Sequence, residues 1–128
     1  MPVRMTTFDT YFELQKRGFQ RLTRWVLNDG RIKPESWEWD NCAGWIYAFV
    51  VERRVRYIGI ATTVLRSRLA GYAYQINDRV GAAIASVIES GTEVEIFGTK
   101  RPHASKSELE AEESDLISLL ATDWNVRR

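Results

Sequence analysis

Two runs of aromatic and β-branched residues, Trp45 to Val51 and Val55 to Ile60, are separated by only Glu52-Arg53-Arg54. So short a connection leaves room for little but a β-hairpin. A two-residue loop of Arg53-Arg54 would need positive φ at both positions, which arginine resists. A three-residue loop of Glu52-Arg53-Arg54 avoids that demand and pairs Val51 with Val55, Phe49 with Tyr57 and Tyr47 with Gly59. In this register Tyr47 and Tyr57 share one face of the sheet, and the bare Gly59 leaves room beside the Tyr47 ring.

The rest of the chain reads around that hairpin. A helix is expected from Val64 to Ile76 and another from Arg79 to Ser90, with Asn77 or Asp78 as cap, Val80, Ile84, Val87 and Ile88 as inner stripe and Gly91 as stop. Thr92 to Gly98 alternates as a third strand, Lys100 to Ser105 is a basic loop, and Ser107 to Ala121 is an acidic helix with Leu109, Leu116, Ile117 and Leu120 on one side. The order β-β-α-α-β-α predicts an α+β fold, a three-stranded antiparallel-type sheet flanked by helices, over residues 44–128. Residues 1–43 read as an N-terminal appendage. Phe8, Tyr11, Phe12 and Leu14 give a helix that Gly18 ends, and Trp25-Val26-Leu27 and Arg31-Ile32 flank an Asn28-Asp29-Gly30 turn. In the polar connection from Pro34 to Asn41, Trp37 and Trp39 are expected as packing anchors.

At 128 residues the chain has room for one core and no second full domain. Its one cysteine, Cys42, cannot make an internal disulfide, which points to a reducing compartment. The longest apolar stretch is far short of the roughly 20 residues that cross a bilayer, and no signal-like run follows the first residues. A cytoplasmic location without a membrane partner is the expectation. Net charge is only +1, but it is unevenly placed. Between residues 51 and 80 six arginines, Arg53, Arg54, Arg56, Arg66, Arg68 and Arg79, face two acids, whereas between 81 and 126 three bases face nine acids. That pattern suits either a local phosphate-binding face beside a carboxylate-rich element or a mixed, solvated surface.

Two positions break the helical patterns. Glu113 lies one turn from Leu116 and Ile117 and one turn from Leu109, inside the apolar stripe, while Glu112 borders it and is the more solvated of the two. A carboxylate on a core-facing side must be paired, hydrogen-bonded or metal-bound, unless its head reaches water past the stripe. Arg68 and Tyr72 are four apart and stack on one helical face near Leu65, Leu69 and Ile76, whereas Arg66 projects away. Such an arginine can make a two-point phosphate contact, or serve as a surface ion pair.

Taken together, Trp45-Ile46-Tyr47, Tyr57-Ile58-Gly59, Leu65-x-x-Arg68 with Tyr72, Glu113-x-x-Leu116-Ile117 and Asn125 resemble the GIY-YIG nuclease family. The stretch Tyr57-Ile58-Gly59-Ile60-Ala61-Thr62-Thr63 is similar to its small stand-alone members. Trp45 occupies the place of the first motif's glycine, Ile60 stands where some relatives have a lysine, and one extra residue before Arg68 makes Arg66 a competitor for its role. The resemblance implies an endonuclease acting on DNA phosphodiesters, RNA not being excluded, with Glu113 anchoring one divalent ion, Mg²⁺ or Mn²⁺, and Arg68 binding the scissile phosphate. It implies Tyr47 as general base, its phenolate favoured by Arg68 and the metal, Tyr57 and Tyr72 as positioning groups for water or phosphate, and Asn125 as the holder of the C-terminal segment and the Glu113 helix. Arg53, Arg54, Arg56, Arg66, Arg79, Lys100, Arg101 and Lys106 are the expected nucleic-acid contacts around the cleft. The rival reading is a non-catalytic nucleic-acid-binding or structural module that keeps the fold. One histidine, His103, and one cysteine cannot form a zinc or Cys-His site. No residue pattern marks an oligomeric state.

Overall fold

The computed structural model describes residues 7–36, 42–74 and 79–125. The elements run α1 (Thr7–Lys16), β1 (Gln20–Asn28), β2 (Arg31–Pro34), β3 (Ala43–Val51), β4 (Arg54–Val64), α2 (Leu65–Tyr74), α3 (Arg79–Glu89), β5 (Val94–Lys100) and α4 (Lys106–Leu120). All strand pairings are antiparallel, in the order β2-β1-β5-β3-β4. The α+β class and the order of elements after residue 43 agree with the sequence reading, but the sheet has five strands, not three. The expected helix and strand pair of the first 43 residues do form, around Asp29 and Gly30 at φ 54° and 77°. The hairpin does not lie beside the sheet, however. β1 pairs with β5 from Gln20↔Gly98 to Trp25↔Val94 and extends it.

Because side chains alternate along a strand, the central strand β3 feeds two cores. Trp45, Tyr47, Phe49 and Val51 point to the side packed by α2 and α3, where Leu65, Leu69, Tyr72, Val80 and Ile84 meet them. Ile46, Ala48 and Val50 point to the other side, with Leu14 of α1 and Leu109, Leu116 and Leu120 of α4. The sheet is thus a middle layer, and β3 is buried on both faces apart from its first residue. The start of α4 is fixed by a capping box. The Ser105 hydroxyl accepts from the Glu108 amide and the Glu108 carboxylate accepts from the Ser105 amide, so the helix begins at Lys106 rather than Ser107.

The hairpin register holds at its centre, with Phe49↔Tyr57 and Tyr47↔Gly59, but its loop differs from the expected three residues. The turn is Glu52-Arg53 alone, both at positive φ (51° and 67°), closed by Val51↔Arg54. Register is restored by a bulge. Val50 pairs with Val55 and Phe49 with Tyr57, which leaves Arg56 as the extra residue. The freed carbonyl of Arg56 accepts from the Trp124 amide at 2.9 Å, so the bulge anchors the segment that follows α4. The expected helix end at Ile76, the caps Asn77 and Asp78, and Trp37 and Trp39 lie outside the described residues.

Candidate active site

Strand alternation and the α2 helical repeat converge on three tyrosines. Tyr47 of β3 and Tyr57 of β4 share the face covered by α2, and Tyr72 descends onto them from one turn beyond Arg68. Position 59 must be glycine for this to happen, since a Cβ there would sit 2.5 Å from the Tyr47 hydroxyl. The Tyr47 and Tyr72 hydroxyls are 2.6 Å apart, Tyr72 donates to Tyr57 at 3.0 Å, and Arg68 Nε donates to Tyr47 at 3.2 Å. A hydroxyl has one hydrogen. Tyr72 spends its own on Tyr57, so Tyr47 is the donor to Tyr72, and the chain runs in one direction from Arg68 through Tyr47 and Tyr72 to Tyr57. Ring contacts hold it in place: Phe49 stacks on Tyr57 at 5.2 Å, and Trp25 meets Tyr72 edge-on at 6.1 Å.

Tyr47 is 0% exposed and Tyr72 7%, while Tyr57 is only half-buried. Burial pushes the Tyr47 and Tyr72 hydroxyls well above the ordinary tyrosine range; Tyr57 adds to this for Tyr47, and both Tyr47 and Tyr57 add to it for Tyr72. For Tyr47 the hydrogen bond with Tyr72 and the Arg68 guanidinium pull the other way without prevailing, so its phenol is neutral at physiological pH. The guanidinium is in turn held on its charged side by Tyr47, against the cost of its own partial burial. Its Nη1 and Nη2 have no hydrogen-bond partner among the described residues.

Arg68 also lines a cavity of about 500 Å³ with Ile60, Ala61, Thr62 and Thr63 of β4, Ser67 of α2 and Lys106 of α4. The two threonines enter the sequence reading only as the end of the Tyr57 to Thr63 stretch, without a role, and nothing in the sequence singles out Ser67. Although α4 packs on the opposite face of the sheet, its Lys106 reaches this cavity, and Glu113 feels the charge of Arg68. Burial raises the Glu113 carboxyl above its usual range, Arg68 opposes that rise, and Glu110 adds to it. No hydrogen bond or ion pair engages the Glu113 carboxylate among the described residues. Glu112, expected to be the more solvated, is itself only partly exposed and holds Arg101 in a two-point pair at 3.2 and 3.0 Å. No group of three or more His, Cys, Asp or Glu side chains able to hold a metal occurs among the described residues.

The remaining expected residues are spread around the molecule. Asn125 is occupied with the edge of β4, where it bonds both backbone groups of Ile58. Arg56 makes a two-point pair with Asp123 at 2.7 Å and lies over the Trp124 ring, and Arg54 is 3.8 Å from the same carboxylate. Arg79 donates to the Trp124 carbonyl, and Arg101 donates to Thr99 and the Lys100 carbonyl besides Glu112. Arg53 sits over the Tyr11 ring at the hairpin tip, and Lys100 over Trp45. Arg66 is exposed on α2. Of the expected phosphate contacts, Lys106 is the one that the cavity brings together with Arg68.

No family model and no curated protein sequence matches the chain. Solved structures do. A mutant of bacteriophage T4 EndoII superposes with a TM-score of 0.72 at 24% identity, over 91% of this chain and 98% of that one. The restriction endonuclease HPY188I, in complex with product DNA, gives 0.52 at 15% identity over 91% and 87%. The chain therefore shares the fold of these two proteins, over the β1–β2 hairpin as well as the elements after residue 43.

Proposed function

We propose that this protein is a GIY-YIG-type endonuclease that hydrolyses DNA phosphodiester bonds with the help of one divalent ion. The observation that carries the reading is Arg68, which spends one N–H on the Tyr47 hydroxyl, has no partner for its terminal nitrogens among the described residues, and lines a cavity together with Lys106. A guanidinium fixed at Nε and open at both terminal nitrogens suits two-point contact with a phosphodiester. Likeness to a restriction endonuclease in complex with product DNA supports DNA as the partner. All the proposed reactive residues fall within 44–128, so the division at residue 43 is proposed as one of function.

The residues present fit a hard divalent ion. Glu113 is a half-buried carboxylate with no ion-pair partner among the described residues, and Mg²⁺ or Mn²⁺ is commonly held by one or two carboxylates plus water and substrate phosphate oxygens. Such an ion supplies charge neutralisation and a more acidic bound water. Arg68 and Lys106 bind and orient the phosphate, while Thr62, Thr63 and Ser67 offer hydroxyl donors along the cavity wall. Tyr47 keeps Arg68 in position, and Asn125 keeps the segment after α4 on the β4 edge.

The test is a cleavage assay of the purified chain on supercoiled, branched and single-stranded DNA, with and without Mg²⁺ or Mn²⁺, beside an Arg68→Ala control. Metal-dependent nicking that the control lacks is the expected result. Binding without cleavage on every substrate would assign the chain to the non-catalytic module class.

A further inference from the structure

Resting on the reading of the cavity as a DNA phosphate site, we propose that Arg101 and Glu112 are positioning residues for DNA binding: their ion pair braces the start of α4 and so keeps Lys106 at the cavity that Arg68 lines. Arg101 belongs to the basic loop expected to touch DNA, yet all three of its guanidinium nitrogens are engaged within the chain. Nε and Nη2 fork onto the Glu112 carboxylate at 3.2 and 3.0 Å, while Nη1 donates to the Thr99 hydroxyl at 2.8 Å and the Lys100 carbonyl at 3.2 Å. A planar guanidinium occupied in this way fixes geometry instead of offering a contact.

Lys106 is the opposite case. No hydrogen bond or ion pair engages it among the described residues, and it stands where a positive charge is disfavoured. It is the first residue of α4, at the positive end of the helix dipole, and it lines one cavity with Arg68. A phosphate in the cavity offsets both effects. Until one arrives, the first turn of α4 has to be held there against like charge.

The hold runs through Arg101. Its amide donates to the Gly44 carbonyl at 2.6 Å, which seats the loop on the start of β3. Gly44 permits this with a φ of 86° and by lacking a Cβ, which would meet the Arg101 carbonyl oxygen at 2.5 Å. That same oxygen accepts from the Ala104 amide at 3.1 Å, turning the chain toward the Ser105 cap and Lys106. The Arg101 side chain then reaches over the turn to Glu112, further along α4. Lys106 thus lies inside a stretch, 101–112, whose ends are tied to each other and, at Arg101, to β3.

The experiment measures affinity of the full chain for a DNA duplex, without divalent metal, at several salt concentrations. The proteins are the wild type, Lys106→Ala, Glu112→Gln, Arg101→Lys and Glu112→Gln combined with Lys106→Ala, each with a urea curve. Loss of the Lys106 contact lowers the log-log slope by about 0.9. Glu112→Gln should lower it toward that value and not beyond, although the change makes the chain more positive and by charge alone would tighten binding. Arg101→Lys should do the same, since it keeps the charge that a direct phosphate contact needs and loses the fork that the brace needs. The combined variant should bind like Lys106→Ala, because the brace has nothing left to position. Wild-type slopes in Glu112→Gln and Arg101→Lys, with only the urea midpoint lowered, make the pair merely structural and overturn the proposal. So do an independent effect in the combined variant, an unchanged slope in Lys106→Ala, and a steeper slope in Glu112→Gln from an Arg101 released to bind phosphate. Should one of the two brace variants fail to fold, the other decides. Wild-type cleavage with Mg²⁺ tests the nuclease reading apart. Cleavage with unaltered slopes discards the brace alone, the expected slopes without cleavage keep the brace on a binding module, and a wild type that neither binds nor cleaves overturns both.

Discussion

Asn125 binds Ile58 as a neighbouring strand would, its Nδ2 donating to the Ile58 carbonyl at 2.8 Å and its Oδ1 accepting from the Ile58 amide at 3.0 Å. β4 is an edge strand, and its outer backbone groups need partners. Thr122 donates to the same Oδ1 at 2.6 Å and orients the amide. Asn125→Ala should therefore cost about 1–3 kcal/mol, the range for stripping partners from partly buried backbone groups. Urea unfolding measures it, and an unchanged midpoint would show that water satisfies this edge equally well.

How much of this was legible in the sequence depends on whether the determinant is local. Tyr47 opposite Gly59 could be read because alternation and the short connection fix the centre of the hairpin. The Glu52-Arg53 turn could not, since both residues disfavour positive φ and the cost is borne together with a bulge at Arg56 that serves the distant Trp124. The β1–β5 pairing joins residues 69 to 78 positions apart, and no local pattern announces it. Similarly, the helical wheel put Glu113 beside Leu116 but made Glu112 the more solvated of the two, because it carried no information about Arg101, which arrives from a preceding loop. The Ser105-x-x-Glu108 capping box was readable and sets the helix start more closely than the apolar stripe does.

Gly59→Ala tests the close approach in the site. The added Cβ would meet the Tyr47 hydroxyl at 2.5 Å, and that ring cannot retreat, being fully enclosed and bonded to Tyr72 and Arg68. Overpacking of this kind costs about 1–3 kcal/mol. Thermal unfolding should show the loss, and cleavage should fall with it because the hydroxyl chain must shift. A variant with wild-type stability and activity would mean that the face has slack the geometry does not show.

Glu113 and Glu112 are adjacent in sequence but should respond oppositely to amidation. Burial raises the Glu113 carboxyl, so its ionised form is less favourable folded than unfolded. The stability associated with that raised value is present below the ordinary carboxylate range and lost as pH rises from that range through the raised folded value. Glu113→Gln should accordingly be more stable than wild type at neutral pH, with the gap closing in acid, while added Mg²⁺ should raise the melting temperature of the wild type only. Loss of a metal anchor worth several kcal/mol should reduce cleavage at least about a thousandfold. Glu112→Gln instead weakens the pair with Arg101 and should lower stability while leaving the metal response intact. Melting curves across pH, with and without Mg²⁺, check both expectations.

Arg56 and Lys106 separate the basic residues that hold the fold from those available to DNA. Burial pushes the Asp123 carboxyl up, but hydrogen bonds from Arg56 and the charges of Arg56 and Arg54 outweigh it and hold the carboxyl below its usual range. A carboxyl lowered in the folded state contributes stability above its unfolded value, and that contribution disappears as pH falls through the folded one. Arg56→Ala should thus destabilise the protein at pH 7, and the deficit should narrow in acid once Asp123 is protonated. Its effect on the salt dependence of DNA binding should be small, because the guanidinium already serves Asp123 and Trp124. Lys106 lines the cavity beside Arg68, so Lys106→Ala should leave stability in place and reduce the log-log salt slope by about 0.9, the value for one duplex phosphate contact. Binding titrations at several salt concentrations, paired with urea curves, distinguish the two; a slope that falls for Arg56→Ala and not for Lys106→Ala would move the DNA path to the hairpin side of the molecule.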